Sequence, residues 1–425
     1  MKIHRSCIVG IYKSHPEIVK IYRSLIEQAH KAALIYIDKH GTIGLLKPLS
    51  PHKKSFIHED YAFECFIVEN EDTLHTSPDR AMISEYERGA VGQKRKTTES
   101  DQMIAADHYN QLTRDKESRF TSQIFHLRNL NGCIKSILIQ NTLSSMSLGS
   151  FKVLDLCCGH GGDINKWLNN AAHECKEYVG VDIAHAALND FISNRLEQHR
   201  NKSKVSKLIT ADMGKDSLTT DSLPTYLMER KSWMNIPPLS ESECFDLISC
   251  QFAIHYMFQS HDRAKHFFTE IQRHLRVGGR FIVTTVDSRV FMELVMKQIS
   301  ESTKVHDLNS DLEISIENEL QNTILRIRVE SCTLQRLLSG DINDLFGLRY
   351  NFQLFDQPAS STAAVDAPEW LVPLPLIEKL ASEANLEVKE ITNFHDYISA
   401  ASEGRHRYLL NEMHNIDGNI LFLAN

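Results

Sequence analysis

The stretch Lys152-Val-Leu-Asp-Leu-Cys-Cys-Gly-His-Gly-Gly-Asp163 constrains this chain more than any other. An apolar run, Phe151 to Leu156, breaks into a glycine-rich turn, and Ile164-Asn-Lys-Trp-Leu168 then reads as a helix. Such a strand-turn-helix lets backbone approach a nucleotide-like ligand closely, because glycine reaches dihedrals barred to other residues and the helix N-terminus stands behind the turn. Four later apolar segments end in polar residues: Tyr178-Val-Gly-Val-Asp-Ile183, Leu208-Ile-Thr-Ala-Asp-Met213, Phe245-Asp-Leu-Ile-Ser-Cys-Gln251 and Gly278-Gly-Arg-Phe-Ile-Val-Thr-Thr285. Helical or irregular stretches separate them. The pattern predicts an α/β fold with a doubly wound, mostly parallel sheet.

Strand ends in such a sheet face the ligand crevice. Asp182, closing the second strand, offers paired oxygens to two ribose hydroxyls, and Asp212, closing the third, is placed to read an adenine amino group. Dinucleotide-dependent dehydrogenases share this logic. Their fingerprint is G-x-G-x-x-G, however, and the turn Cys157-Cys-Gly-His-Gly-Gly-Asp163 does not keep that spacing. The strand succession with Asp155, Asp182 and Asp212 fits instead a Rossmann-like class I methyltransferase using S-adenosylmethionine (SAM).

With 425 residues, 42% of them hydrophobic, the chain can bury a large core and suits two domains or one domain with big additions. No apolar run approaches the ~20 residues that span a bilayer, so no membrane partner is expected. Met1 to Gly10 is too weakly apolar for a secretory signal. Nine scattered cysteines without a CxxC pair favour a reducing compartment, and no metal is expected. The net charge of −8 excludes a broad basic groove for nucleic acid. Any RNA contact should be confined to one end or one pocket.

Residues 1–105 read as an N-terminal extension of unknown role. It holds a helical spacing over Glu17–Ile35, a strand over Tyr61–Val68 and a polar linker over Thr76–Gln102. Lys94-Arg-Lys96 has the look of a short nuclear-import signal or of a solvated loop. From residue 106 the texture changes. Ile124–Asn131 and Cys133–Ile139 predict an amphipathic helix leading to the first core strand. Leu218–Glu243, with Pro224, Pro237 and Pro238, predicts a surface excursion. Thr323–Glu330 and Phe346–Phe355 predict strands, and Leu376–Ala384 a helix.

Several motifs stand in a telling order: His108-Tyr-Asn110, Phe125-His-Leu-Arg-Asn-Leu-Asn131, Lys135, Val153 to Trp167, Asp182-Ile-Ala184, Cys250-Gln-Phe-Ala-Ile-His-Tyr256, Gly278 to Ser288, Phe346-Gly347 and Pro368-Glu-Trp-Leu-Val372. Through them the chain resembles the eukaryotic-type mRNA cap guanine-N7 methyltransferases over about residues 107–395. The Leu-Arg-Asn-Leu-Asn and Cys-Gln-Phe-x-x-His-Tyr pair is the most specific part. The resemblance implies a cap methyltransferase domain over 106–425, with a SAM core at about 150–290 and cap-pocket additions at about 107–140 and 340–395. It implies transfer of SAM's methyl group to N7 of the guanosine cap of 5′-capped RNA. It also implies residence in the nucleus, and an N-terminal extension that could recruit an RNA guanylyltransferase or RNA polymerase II. Guanine N7 carries an in-plane lone pair and no proton, so no general base is expected.

For SAM the resemblance implies Lys135 at the methionine carboxylate, Asp155 beside the turn, Cys157 and Gly159 within it, then Asp182, Asp212, Gln251 and Tyr256. For the cap it implies Asn131, Gly132, His160, Phe252, His255 and Glu369, with Arg195 and Arg128 as candidates for the triphosphate. Glu369 would accept from the N1–H and exocyclic amine of guanine. Four departures from the family pattern stand out. Cys157 replaces a glycine, His160 a lysine that meets cap phosphate, and Val286 a proline; the family's C-terminal strand and its cap-contacting tyrosine are not recognisable in Asn415–Asn425. Two other functions share these motifs: methylation of a different small-molecule or RNA acceptor, and a degenerate subunit that binds a cap without turnover.

Overall fold

The structure is a computed structural model that describes residues 35–37, 43–45, 63–70, 104, 106–108, 110 and 122–403, the last without 171, 198, 302–308, 319, 340–344 and 358–362. The expected helix at Glu17–Ile35, apart from Ile35, which opens a strand, lies outside these residues, as do the linker with Lys94–Lys96 and the tail Asn415–Asn425. Strands β1 (Ile35–Ile37) and β2 (Ile43–Leu45) pair antiparallel with each other, and β3 (Phe63–Asn70) follows. Helix α1 (Phe125–Ser145) leads into β4 (Ser150–Leu156), α2 (Ile164–Leu168), β5 (Glu174–Asp182), α3 (His185–Asp190) and β6 (Val205–Thr210). Next come β7 (Leu223–Leu227), β8 (Ser232–Ile236), β9 (Phe245–Gln251), α4 (His261–His274) and β10 (Leu275–Val286). The chain continues through α5 (Ser288–Glu301), β11 (Leu312–Glu317), β12 (Thr323–Val329), α6 (Ser331–Ser339), β13 (Arg349–Leu354) and β14 (Val365–Trp370). It closes with α7 (Leu374–Glu383), β15 (Leu386–Asn393) and α8 (Phe394–Glu403).

Nine strands form the main sheet in the order β15-β3-β10-β9-β4-β5-β6-β7-β8. The five at its centre, β10, β9, β4, β5 and β6, run parallel. From β4 the chain moves outward one way through β5 and β6, then returns to the other side of β4 for β9 and β10. Strand order therefore reverses at β4, and ligand crevices open at such switch points beyond the carboxyl ends of the strands. The doubly wound α/β class expected from the sequence is what folds.

Period-two alternation divides the core. Leu154, Leu156, Val179, Ile248 and Phe281 pack with Phe267 and Ile271 of α4 and Ile377 and Leu380 of α7. Phe151, Val153, Tyr178, Leu247 and Ile282 pack on the other face with Ile134 and Ile137 of α1, Trp167 of α2 and Tyr397 of α8. Phe267 has no solvent exposure and meets the Phe268 and Phe281 rings edge-on. Phe267→Ala is expected to cost about 3–5 kcal/mol, as transfer and cavity terms add for a buried ring; urea unfolding measures it.

Two departures from the sequence reading concern the sheet edges. Leu218–Glu243 is not a bare excursion: β7 pairs antiparallel with β6, and β8 with β7, so the segment extends the sheet. Pro224 lies one residue beyond the last β6–β7 pair, Ile209–Thr225, where a missing N–H breaks no bond to β6. At the far edge, β3 inserts antiparallel between β10 and β15. The expected strand at Tyr61–Val68 thus exists, shifted by two residues, but a boundary at residue 105 does not separate the N-terminal region from the sheet.

A second, antiparallel sheet, β11-β12-β13-β14, carries its own core of Ile314, Ile327, Val329 and Tyr350 with Phe291 and Val295 of α5 and Leu334 and Leu337 of α6. It stands beside the carboxyl edge of the main sheet and supplies a second wall. Among the described residues, no helix is long and apolar enough to cross a membrane.

Candidate active site

A cavity of about 420 Å³ lies where the carboxyl ends of β4, β5 and β9 meet α1 and the second sheet. Its floor is the turn after β4. Cys158 N–H donates to Val181 O, and Gly161 N–H to Cys158 O, which folds the turn back over β5. Gly161 adopts φ +68°, and a Cβ there would meet the Phe191 ring at 2.3 Å, so only glycine fits. Cys157 adopts φ +56° with a side chain present. A β-branched side chain is costlier still in that region. Cys157→Val is therefore expected to lose about 1–3 kcal/mol. Cys157→Gly should stay within about 1 kcal/mol, because relieved strain offsets lost packing and chain entropy. Thermal unfolding distinguishes the two.

Asp182 organises this floor. Its Oδ2 accepts from Gly159 N–H at 2.7 Å and its Oδ1 from Ala184 N–H at 2.8 Å, joining the β4 turn to the β5 turn. Burial raises its pKa, which those backbone donors partly counter. Asp182 lines the cavity, and a carboxylate with about four acceptor sites has capacity for a ligand beside these bonds. Asn131 and Lys135 stand four residues apart on α1 and so share one face, and both line the cavity. Lys135 Nζ donates to Asp163 Oδ2 at 2.6 Å and lies 5.7 Å from the centroid of the Phe252 ring. Burial alone would push the Asp163 carboxyl up; the Lys135 and Lys166 ammonium groups more than offset it and hold it at about 2.

The opposite wall is built for a different partner. Glu369 of β14 stands directly across from Tyr350 of β13, whose hydroxyl donates to Oε2 at 2.8 Å. Burial pushes Glu369 up to about 7, against the Tyr350 hydrogen bond. His255 follows β9 on a 3₁₀ turn, Ile254–Gln259. Its Nε2 is 3.6 Å from Glu369 Oε1, but burial pushes the imidazole down to about 3, so the contact joins a carboxyl to a neutral ring rather than two ions. Tyr256 packs against His255 with ring centroids 4.3 Å apart. Phe252, at φ +58°, turns the chain out of β9, its N–H donating to Thr284 O. Among the described residues, Asn131 Oδ1 and both His255 ring nitrogens are buried with no hydrogen-bond partner. Buried polar atoms left so are costly, and a ligand rich in donors and acceptors would satisfy them.

Of the residues expected to bind, Asn131, Lys135, Cys157, Gly159, His160, Asp182, Asp212, Gln251, Phe252, His255, Tyr256 and Glu369 all line this one cavity. Four expected positions do not. Asp155 lies beneath it, 4% exposed, accepting from Tyr178 OH at 2.9 Å and Trp167 Nε1 at 3.3 Å, and burial pushes it up to about 7. It braces the turn from below. Gly132 has open space where a side chain would stand and is absent from the lining. Arg195, on the helical turn Phe191–Leu196, is also outside the lining; burial would push the nearby Asp190 carboxyl up, and hydrogen bonds from His160 and Asn194, with a smaller part from Arg195, hold it below its ordinary range. Arg128, the other triphosphate candidate, is spent on Asp356 through two hydrogen bonds of 3.1 Å.

Asp212 lines the cavity, yet Arg263 of α4 grips both its oxygens at 2.9 and 2.6 Å. Its carboxylate first ties α4 to the loop after β6, and only the remaining lone pairs are available to a base. Gln251 is likewise engaged, donating to Ser249 Oγ and accepting from Thr284 Oγ1. The Nδ1 of His160 lies 2.7 Å from Asp190 Oδ2. Sequence reasoning missed Arg263, Tyr350 and Asp190. Tyr350 had a signal, the alternating run Phe346–Phe355; Arg263 and Asp190 sat on helix faces where nothing local distinguishes a clamp from a solvated charge.

A family described as mRNA (guanine-N(7))-methyltransferase domain matches residues 92–419. The chain is 31% identical over 309 residues to mRNA cap guanine-N(7) methyltransferase 1 of Arabidopsis thaliana, covering 71% of this chain and 70% of that protein. It is 32% identical over 299 residues to the protein of the same name from Oryza sativa subsp. japonica, covering 69% and 68%. A solved structure, the CcbJ methyltransferase from Streptomyces caelestis, aligns at 11% identity with a TM-score of 0.39, covering 61% of this chain and 86% of that one.

Proposed function

Since the chain belongs to the mRNA (guanine-N7)-methyltransferase family, we propose that its cavity holds SAM against the Asp182 floor and the guanosine cap of RNA against the Glu369 wall, and that the methyl group passes to guanine N7. The observation that carries this reading is the pairing of two different walls in one space: a glycine-turn floor with a ribose-type carboxylate, and a buried carboxyl among aromatic rings.

The residues fit SAM. A Cβ on Gly159 would meet nothing nearer than Asp182 Oδ2 at 4.0 Å, so bare backbone faces the cavity there. Asp182 suits a ribose diol, and Lys135, pinned by Asp163, suits a carboxylate. When bound, SAM supplies an electrophilic methyl on a sulfonium. The protein's part is alignment and electrostatics. Glu369 accepts the two donors of the guanine edge, which fixes the ring's orientation and favours the positive charge that N7 methylation places on it. Phe252 and Tyr256 offer aromatic faces to the base. His255 stays neutral, and no residue has to take a proton, because N7 has none to give.

Purified protein incubated with methyl-labelled SAM and a short RNA ending in an unmethylated guanosine cap should transfer label to that RNA. RNA ending in a 5′ triphosphate should take none. Label on both RNAs would point to an acceptor elsewhere in the chain, and SAM binding without transfer to a cap-binding subunit.

A further inference from the structure

We propose that His108 and Asn110 are positioning residues: together they clasp the cofactor wall to the cap wall, and so set the distance across which the methyl group passes. The proposal rests on the preceding reading of the cavity. His108 and Asn110 lie two residues apart in the chain, and their side chains reach different walls of the cavity. Asn110 Oδ1 accepts from the backbone N–H of Ala186 at 3.0 Å. His108 Nε2 accepts from the backbone N–H of Asp366 at 3.3 Å. Ala186 lies four residues after Asp182, and Asp366 lies three residues before Glu369. Ala106, two residues before His108, is 5% exposed and lines the cavity itself.

The tie at Asn110 has a particular physical role. Helix α3 opens at Ala184, an N-cap residue with no side chain able to accept a hydrogen bond. The first turn of a helix leaves N–H groups unsatisfied, and an Asn, Asp, Ser or Thr oxygen ordinarily caps the second or third of them. Ala186 is the second residue of α3, so Asn110 supplies from 76 residues away the cap that the helix lacks locally. The same turn holds Asp182, through its bond to Ala184 N–H. On the other wall, the Asp366 side chain accepts from Asn351 and Gln353 of β13, the strand that carries Tyr350. Each end of the clasp therefore ends on the backbone that places a carboxylate in the cavity.

Reactions that depend on alignment lose rate steeply when two bound partners are held a fraction of an ångström too far apart. A clasp of this kind should act on kcat more than on either KM, because each wall keeps its own binding groups. Asn110→Leu removes the acceptor at similar size; it should lower kcat on the order of tenfold to a hundredfold, with KM for SAM and for capped RNA changed less than about threefold. Asn110→Asp restores an acceptor and should recover most of the rate. His108→Leu should lower kcat in the same direction, and His108→Gln should recover part of it.

The experiment is steady-state methyl transfer to capped RNA by the full chain and these four variants, with SAM binding measured by calorimetry on each. A fall in kcat at constant folded fraction, rescued by Asn110→Asp, supports the clasp. Unchanged kcat in Asn110→Leu would overturn it, as would losses that merely follow the folded fraction or appear wholly in KM for SAM. Absence of transfer by the wild-type chain would instead overturn the function proposed above.

Discussion

Replacing Glu369 with glutamine is expected to lower kcat/KM for capped RNA by about 10²–10³-fold, while SAM affinity stays within about twofold. The size follows from geometry. Glu369 is 5% exposed and, among the described residues, accepts from the Tyr350 hydroxyl on Oε2, so acceptor sites remain for a ligand. Two N–H groups of guanine on one carboxylate make two charge-assisted hydrogen bonds, each worth about 1.5–3 kcal/mol. Glutamine keeps one acceptor and turns an NH₂ towards a donor, so a buried N–H is left unpaired. The same residue predicts a pH dependence. Its carboxyl is pushed up to about 7 by burial, and only the ionised form accepts both guanine donors. In the wild type, kcat/KM for capped RNA should therefore rise as pH increases through about 7, and in Glu369→Gln that rise should vanish. Initial rates at subsaturating capped RNA between pH 6 and 8.5 test both statements.

The second large effect is expected at Asp182. In Asp182→Asn, one oxygen has to serve two backbone donors that now have one each, Gly159 N–H and Ala184 N–H. The displaced amide points an N–H at another N–H. An unsatisfied buried donor costs about 1–3 kcal/mol, so unfolding free energy should fall by that amount. The loss at the ligand should be larger, because the ribose contact and the loop geometry fail together: Kd for SAM should rise on the order of a hundredfold. Calorimetric SAM titration and urea unfolding of the same preparation separate the two contributions. An Asp182→Asn protein that binds SAM normally would show that the carboxylate is a loop brace alone.

Much of this site was legible because it is local. A strand, a glycine turn and a helix follow one another within Lys152–Leu168, and Asp182 and Asp212 close strands whose apolar runs are continuous. Burial on both faces leaves that signature in parallel strands. Pairings across long separations left none. The run around Tyr61–Val68 reads as a strand from its own residues, but nothing in it says that the partners are β10 and β15, more than two hundred residues away. Arg263 and Asp212 are 51 residues apart and meet only because α4 packs beside the loop after β6. Asp155 shows the converse error. A carboxylate just before a glycine turn suggested ligand contact, whereas Trp167 and Tyr178 fold over it and leave it beneath the floor. Glu369, His255 and Asn131 were named through the family resemblance, and the structure brings all three to one cavity.

If one cavity carries a methyl group from SAM to guanine N7, the transferred methyl must sit on N7 of the cap guanine. RNA with an unmethylated guanosine cap is reacted with isotopically labelled SAM and digested to nucleosides, and the labelled product is resolved by chromatography and mass spectrometry. The label should lie wholly in 7-methylguanosine. Label on a ribose hydroxyl, or on a base other than the cap guanine, would contradict transfer to N7.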